Sequence, residues 1–386
     1  MPDVNPALEA RAELATAKRL VVKIGSSSLT GKDGRLNLKA LRALVKVLGA
    51  RHAAGGQVVL VSSGAVAAGI APLGLKGRPK DLATAQAAAT VGQGLLVARY
   101  AQAFASQKIV VGQVLLTEDD VIRRVHYRNA YRTLNRLLDL GVVPIINEND
   151  AVATTELRFG DNDRLAALVS HLTRADALVL LTDVDGLYTL PPSCPGAERI
   201  GIVRGPGDLA EVQATGRGSS VGTGGMVTKL EAAAMATETG IPAMLTSAAN
   251  VRAALDGEDV GTWFAKTGRR RSPRLLWLAH AARTSGQLVL DDGAVKAITV
   301  GKKSLLAAGV KSFSGTFDTG DVVELAGDDG TVVARGIVAY SSEEMPAALG
   351  KTSSALRRQI GTDREVVHRD YLAVLPNLRR KKAAAS

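Results

Sequence analysis

A chain of 386 residues with 46% hydrophobic content and 22% charge is neither disordered nor fibrous, and its length supplies two cores. One cysteine, Cys194, excludes an intrachain disulfide, and five histidines fall at no metal-binding spacing, so a reducing cytoplasm is expected. The net charge of +11 leaves two readings open, a phosphate-rich ligand or RNA on one side and a solvated linker and tail on the other, because part of it sits in "GRRRSPR" (268–274) and "LRRKKAAAS".

Residues 1–17 carry Glu9, Arg11 and Glu13 where a signal peptide needs an apolar core; they are expected to form a solvated helix or to be disordered. No run of about 18 apolar residues follows, so no membrane span is expected. From 19 onward six short apolar runs read as buried strands: "RLVVKIG", "GQVVLVSS", "KIVVGQVLL", "GVVPIINEN", "DALVLLTDV" and "IPAMLTS". Between them the period changes to a helical one, roughly over 37–54, 82–106, 128–140, 162–173 and 225–239. Such alternation predicts an α/β domain with a mostly parallel sheet covered on both faces. After the arginine-rich stretch, alternating segments around Gly-Asp turns, such as "GDVVELAGDDGTVVARGIVAY", predict a small β-rich domain.

Ligands of open α/β sheets bind beyond the carboxyl ends of the strands. There the chain places "VVKIGSSSLTG", "LVSSGAVAAG", "IINENDAVAT" and "LLTDVDGLYT". Three of these carry small residues leading toward helix starts, which leaves backbone N–H groups open to an anion. Neither a P-loop nor a dinucleotide fingerprint is present. "GTGGMVTKLEAAAMA" (222–236) runs glycines into a helix that carries Lys229, which suits a phosphate or is simply a flexible turn. Lys23 is either a strand-tip lysine or a phosphate contact. "SSGAVAAG" reads as a tight helix entry, and "NENDAVAT" as a capped loop or a cluster of ligand-binding side chains. In "RFGDNDRLAALVS" (158–170) one polar residue would cap the helix, yet Asp161, Asn162 and Asp163 stand there with Arg164.

In order and approximate spacing, "VVKIGSSSLTG", "VSSGAVAAG", "NENDAVAT", "GDNDRLAALVS", "LLTDVDGLYT" and "GTGGMVTKLEAA" resemble the amino acid kinase family. The β-rich tail, with "GAVKAI", "ARGIVAYSS" and "VHRDYL", looks like a PUA domain. The resemblance covers about 18–375 and implies a three-layer sandwich with a mostly parallel central sheet (the amino acid kinase fold). The divisions are an N-terminal extension (1–17), a catalytic domain (18–265), a linker (266–284), the PUA domain (285–375) and a basic tail (376–386).

The resemblance further implies transfer of the γ-phosphoryl group of ATP, with Mg²⁺, to the side-chain carboxylate of L-glutamate, the first step of proline synthesis. Lys23 and Lys229 would be the transition-state lysines and Asp163 the acid that organises them. Ser63, Asp150 and Asn162 would hold glutamate, Asn162 by donating to it. Lys23, Thr182, Asp183, Thr223, Gly224, Gly225, Met226 and Lys229 would hold ATP. No side chain is assigned as a direct metal ligand; Asp161 would either help to place Mg²⁺ through water or only cap the helix. A homo-oligomer, dimer or tetramer, and a hand-off of product to glutamyl phosphate reductase are implied as well. The alternatives are an amino acid kinase acting on another acceptor, such as acetylglutamate, and a PUA-type RNA-binding protein; against the latter, aromatics for base stacking make up only 3% of the chain.

Overall fold

The computed structural model describes residues 6–31, 36–77, 79–117, 120, 124–152, 162–190, 192–205, 207–208, 224–268, 275, 278–279, 284–360 and 364–375. The chain divides into two compact units, Met1–Arg270 and Arg271–Ser386.

In the first unit each apolar run becomes a strand: β1 (Arg19–Ile24), β2 (Gln57–Ser62), β3 (Val111–Leu116), β4 (Val143–Glu148) and β5 (Ala177–Thr182), followed by a small hairpin of β6 (Leu187–Tyr188) and β7 (Arg199–Ile200), then β8 (Ile202–Val203), β9 (Ala243–Ser247) and β10 (Thr262–Phe264). Eight of them form one sheet in the order β3-β4-β2-β1-β5-β9-β10-β8. The first six run parallel, so their carboxyl ends share one edge, while β10 pairs antiparallel with β9.

Helices cover both faces. On one lie α1 (Pro6–Thr16), α3 (Leu38–Ala53), α5 (Leu82–Ala105) and α9 (Val251–Leu255). Their Leu14, Leu41, Leu44, Leu96, Tyr100 and Val251 pack on Leu20, Val22 and Ile24 of β1. The other face carries α6 (Arg124–Asp139), α7 (Asn162–Leu172) and α8 (Gly224–Glu238). Two short helices, α2 (Ser26–Leu29) and α4 (Ala65–Ile70), follow β1 and β2 directly. Asn37 and Asp81 start α3 and α5 by accepting from Ala40 N and Thr84 N at 3.0 and 2.8 Å, as N-caps do. Gly64 enters α4 at φ +106°, a conformation that other residues rarely adopt. At Gly92 a Cβ would fall 1.8 Å from Ala65 O, so α4 and α5 touch backbone to backbone there.

The expectation for the N-terminal extension is corrected: α1 is a packed element, not a solvated one. Leu14 is buried in the main core and Arg11 is fully buried. The Arg11 guanidinium lies 2.8 Å from Asp259 and donates to Gly201 O at 3.2 Å. Asp259 in turn accepts from Arg199 at 2.7 Å.

The second unit is a five-stranded sheet of β11 (Gly286–Leu290), β12 (Val310–Gly315), β13 (Val322–Ala326), β14 (Val332–Ile337) and β15 (Leu372–Val374), in the order β12-β11-β13-β14-β15. With the intervening helix α10 (Asp292–Thr299) it encloses its own core, which includes Leu288, Ile298, Phe317, Leu325 and Tyr340.

Candidate active site

Side chains alternate across a strand. Leu20, Val22 and Ile24 therefore face α3 and α5, and Lys23 points the other way, toward α7. Only 2% of Lys23 is exposed, and its Nζ lies 2.5 Å from Oδ1 of the fully buried Asp163, in the first turn of α7. The second oxygen of that carboxylate lies 3.1 Å from Nζ of Lys229 and accepts from Thr228 Oγ1 at 3.2 Å, both residues belonging to α8. A carboxylate stripped of water is strongly destabilised unless it is paired; here two ammonium groups from opposite ends of the domain flank it. The triad carries one net positive charge. One residue along, Arg164 reaches Glu231 at 2.5 Å, so α7 and α8 are joined twice.

A second network adjoins the first. Asn162, only 9% exposed, donates from Nδ2 to Asn147 Oδ1 at 2.8 Å, Ser63 Oγ at 3.0 Å and Ser62 O at 3.3 Å. Asn147 donates from its own Nδ2 to Gln93 Oε1 at 2.7 Å. Beneath Ser63, Ser62 Oγ and Tyr100 OH are 2.9 Å apart, and burial pushes the Tyr100 phenol well above its ordinary pKa. The N–H groups of Asn162 are directed at protein oxygens, and among the described residues its Oδ1 has no hydrogen-bond partner.

The other anticipated residues lie along the same sheet edge. Thr182 ends β5, next to β1, and its hydroxyl donates to the exposed Asp183 at 2.8 Å. Asp150 occupies the turn after β4 and is half-buried. Gly224 and Gly225 open α8, with Met226 half-buried behind them. Thr223 and Asp161 lie outside the described residues. A Cβ at Gly25 would stand 3.7 Å from Nζ of Lys23, in ordinary van der Waals contact. Among the described residues no three His, Cys, Asp or Glu side chains gather as a metal site. Thr228 lies within the 223–229 loop expected to hold ATP, but its hydrogen bond to Asp163 was not anticipated; Gln93 was not anticipated at all, because it lies within an alanine- and glycine-rich helix that carries no signal.

The amino acid kinase family model matches residues 18–247. The chain belongs to the amino acid kinase family. The PUA domain model matches residues 286–360, within the second unit. A glutamate 5-kinase from Streptomyces coelicolor is 58% identical over 369 residues, which cover 95% of this chain and 99% of that protein. A glutamate 5-kinase from Thermobifida fusca is 57% identical over 375 residues, 96% of each chain. One from Bifidobacterium animalis is 53% identical over 370 residues, 95% of this chain and 98% of that one. In this amino acid kinase the family match begins at residue 18, so the packed helix α1 precedes it.

Proposed function

We infer that the chain transfers the γ-phosphoryl group of ATP to the side-chain carboxylate of L-glutamate, giving L-glutamyl 5-phosphate, the first step of proline biosynthesis. The observation that carries this reading is the buried Asp163 carboxylate held between the Lys23 and Lys229 ammonium groups. Sequence identity of 57–58% over 95–96% of the chain with glutamate 5-kinases supports the choice of acceptor.

The acceptor carboxyl has an ordinary pKa of about 4.3, so the nucleophile is ionised at neutral pH and needs no general base. What opposes the reaction is charge: an anion must approach a polyanion, and two unit charges about 4 Å apart repel by roughly 4 kcal/mol at an effective dielectric near 20. Lys23 and Lys229 offset this, most strongly where charge spreads over the transferring phosphoryl group. Asp163 holds both ammonium groups in place before any ligand arrives, so little reorganisation is left for the reaction itself. Ser63, Asp150 and Asn162 hold glutamate; Thr182, Asp183 and the start of α8 hold ATP. With no carboxylate cluster among the described residues, Mg²⁺ fits as an ion carried by the nucleotide, where it would neutralise phosphate oxygens. An acyl phosphate hydrolyses readily, which favours direct hand-off to glutamyl phosphate reductase.

Trapping the product with hydroxylamine in the presence of ATP, Mg²⁺ and glutamate tests the reading. Formation of γ-glutamyl hydroxamate is expected. Product from acetylglutamate but not from glutamate would overturn the choice of acceptor.

A further inference from the structure

The hairpin of β6 and β7 stands outside the eight-stranded sheet, as a two-stranded sheet of its own. It follows the loop 183–186, whose first end is fixed by Thr182, the last residue of β5. The β7 side is secured by its neighbour in sequence, because β8 starts at Ile202 and pairs with β10 in the main sheet. Arg199, also on β7, donates to Asp259 at 2.7 Å. On the loop side the tie is made by the fully buried Thr262 of β10. Leu187 N–H can only donate, so Thr262 Oγ1 accepts from it at 2.8 Å, and the hydroxyl's own proton goes to Ile200 O at 2.7 Å. Leu187 and Ile200 face each other in the hairpin, so one side chain holds both strands of it on β10. Gly186 packs on the same joint: a Cβ there would stand 3.2 Å from Thr262 Oγ1 and 3.3 Å from Cδ of Arg199.

We propose that Thr262 is a positioning residue for ATP: its hydroxyl fixes the far end of the 183–186 loop at Leu187, so that the loop is already in place at the sheet edge when the nucleotide arrives. This rests on the assignment of Thr182 and Asp183 to ATP. A loop fixed at both ends loses little freedom when a ligand binds, whereas a loop fixed at one end must be ordered by the ligand, and that ordering weakens binding. Without the hydroxyl, the buried Leu187 N–H and Ile200 O lose this partner. An unsatisfied buried group is costly, which favours lifting β6 from β10 toward water.

Steady-state kinetics of the full chain, with the hydroxamate as readout, test this on two variants. Thr262→Val keeps the shape and removes both hydrogen bonds; Thr262→Ser keeps the hydroxyl. For Thr262→Val the KM for ATP should rise about tenfold, the size of effect that follows loss of a buried hydrogen bond. Its kcat and its KM for glutamate should hold, and Thr262→Ser should keep the wild-type KM for ATP. A role in folding alone would lower the urea midpoint and leave the KM for ATP where it is. If Thr262→Val does not fold, Gly186→Ala decides, because its methyl crowds the same joint from the loop side and should raise the KM for ATP as well. The inference is overturned if Thr262→Val, or Gly186→Ala in its place, matches wild type in KM for ATP, if Thr262→Val and Thr262→Ser raise it alike, or if the loss falls on the KM for glutamate. A wild-type chain that makes no hydroxamate overturns the functional reading itself; an active wild type matched by Thr262→Val overturns this inference alone.

Discussion

Lys23 shows how a residue changes meaning with its surroundings. Within "RLVVKIG" a lysine reads as a strand-tip cation. In the fold it is 2% exposed and ion-paired to Asp163, a residue from the other half of the domain. Residue type and local run were legible, but the partner was not, because no local period relates positions so far apart. The pairing makes Asp163 the residue on which both lysines depend. Asp163→Asn should lower the rate by about 10²- to 10³-fold, as loss of a preorganised electrostatic contact does. It should also destabilise the chain by about 3 kcal/mol, since two buried ammonium groups lose their counter-charge. Hydroxamate rates and urea unfolding of the same preparation check the two numbers. A rate loss with unchanged stability would mean that the carboxylate serves chemistry but not the fold.

At the scale of elements, helix periods and apolar runs placed most of the kinase domain well. The run over 162–173 is α7 (Asn162–Leu172), and that over 225–239 is α8 (Gly224–Glu238). What failed was α1, because the residue that makes it polar is the one that anchors it: Arg11 finds Asp259 and Gly201 O far along the chain. Burial lowers the Arg11 pKa and Asp259 offsets that effect. Asp259 is itself held below the ordinary carboxylate range, first by its hydrogen bond from Arg199 and then by the charge of Arg11. A depressed carboxyl pKa stabilises the fold above its unfolded value, about 3.9, and the contribution is lost as pH falls through the folded value. Wild type should therefore exceed Asp259→Asn in urea midpoint at pH 7, and the gap should narrow as pH falls below about 3.9. A gap independent of pH would rule out the ionised carboxylate as the anchor.

At the scale of the whole molecule, the two units have separate cores with no residue in common. A chain ending at Arg270 keeps every residue of the main kinase core, so it should still unfold cooperatively in urea and still form hydroxamate. A molten truncated chain, one that binds ANS and unfolds without a transition, would show that the second unit is required for folding. The sequence by itself determined the class of each unit, because strand and helix periods and turn residues are local properties that any window of the chain displays. It also supplied the candidate chemistry, because charged residues in apolar runs and glycines before helices stand out without a fold. Only the tertiary structure decided which charges meet, which way the amides point and that α1 is buried. Those are contacts between distant segments, and the free energy of a buried charge or amide depends on the partner that folding brings to it.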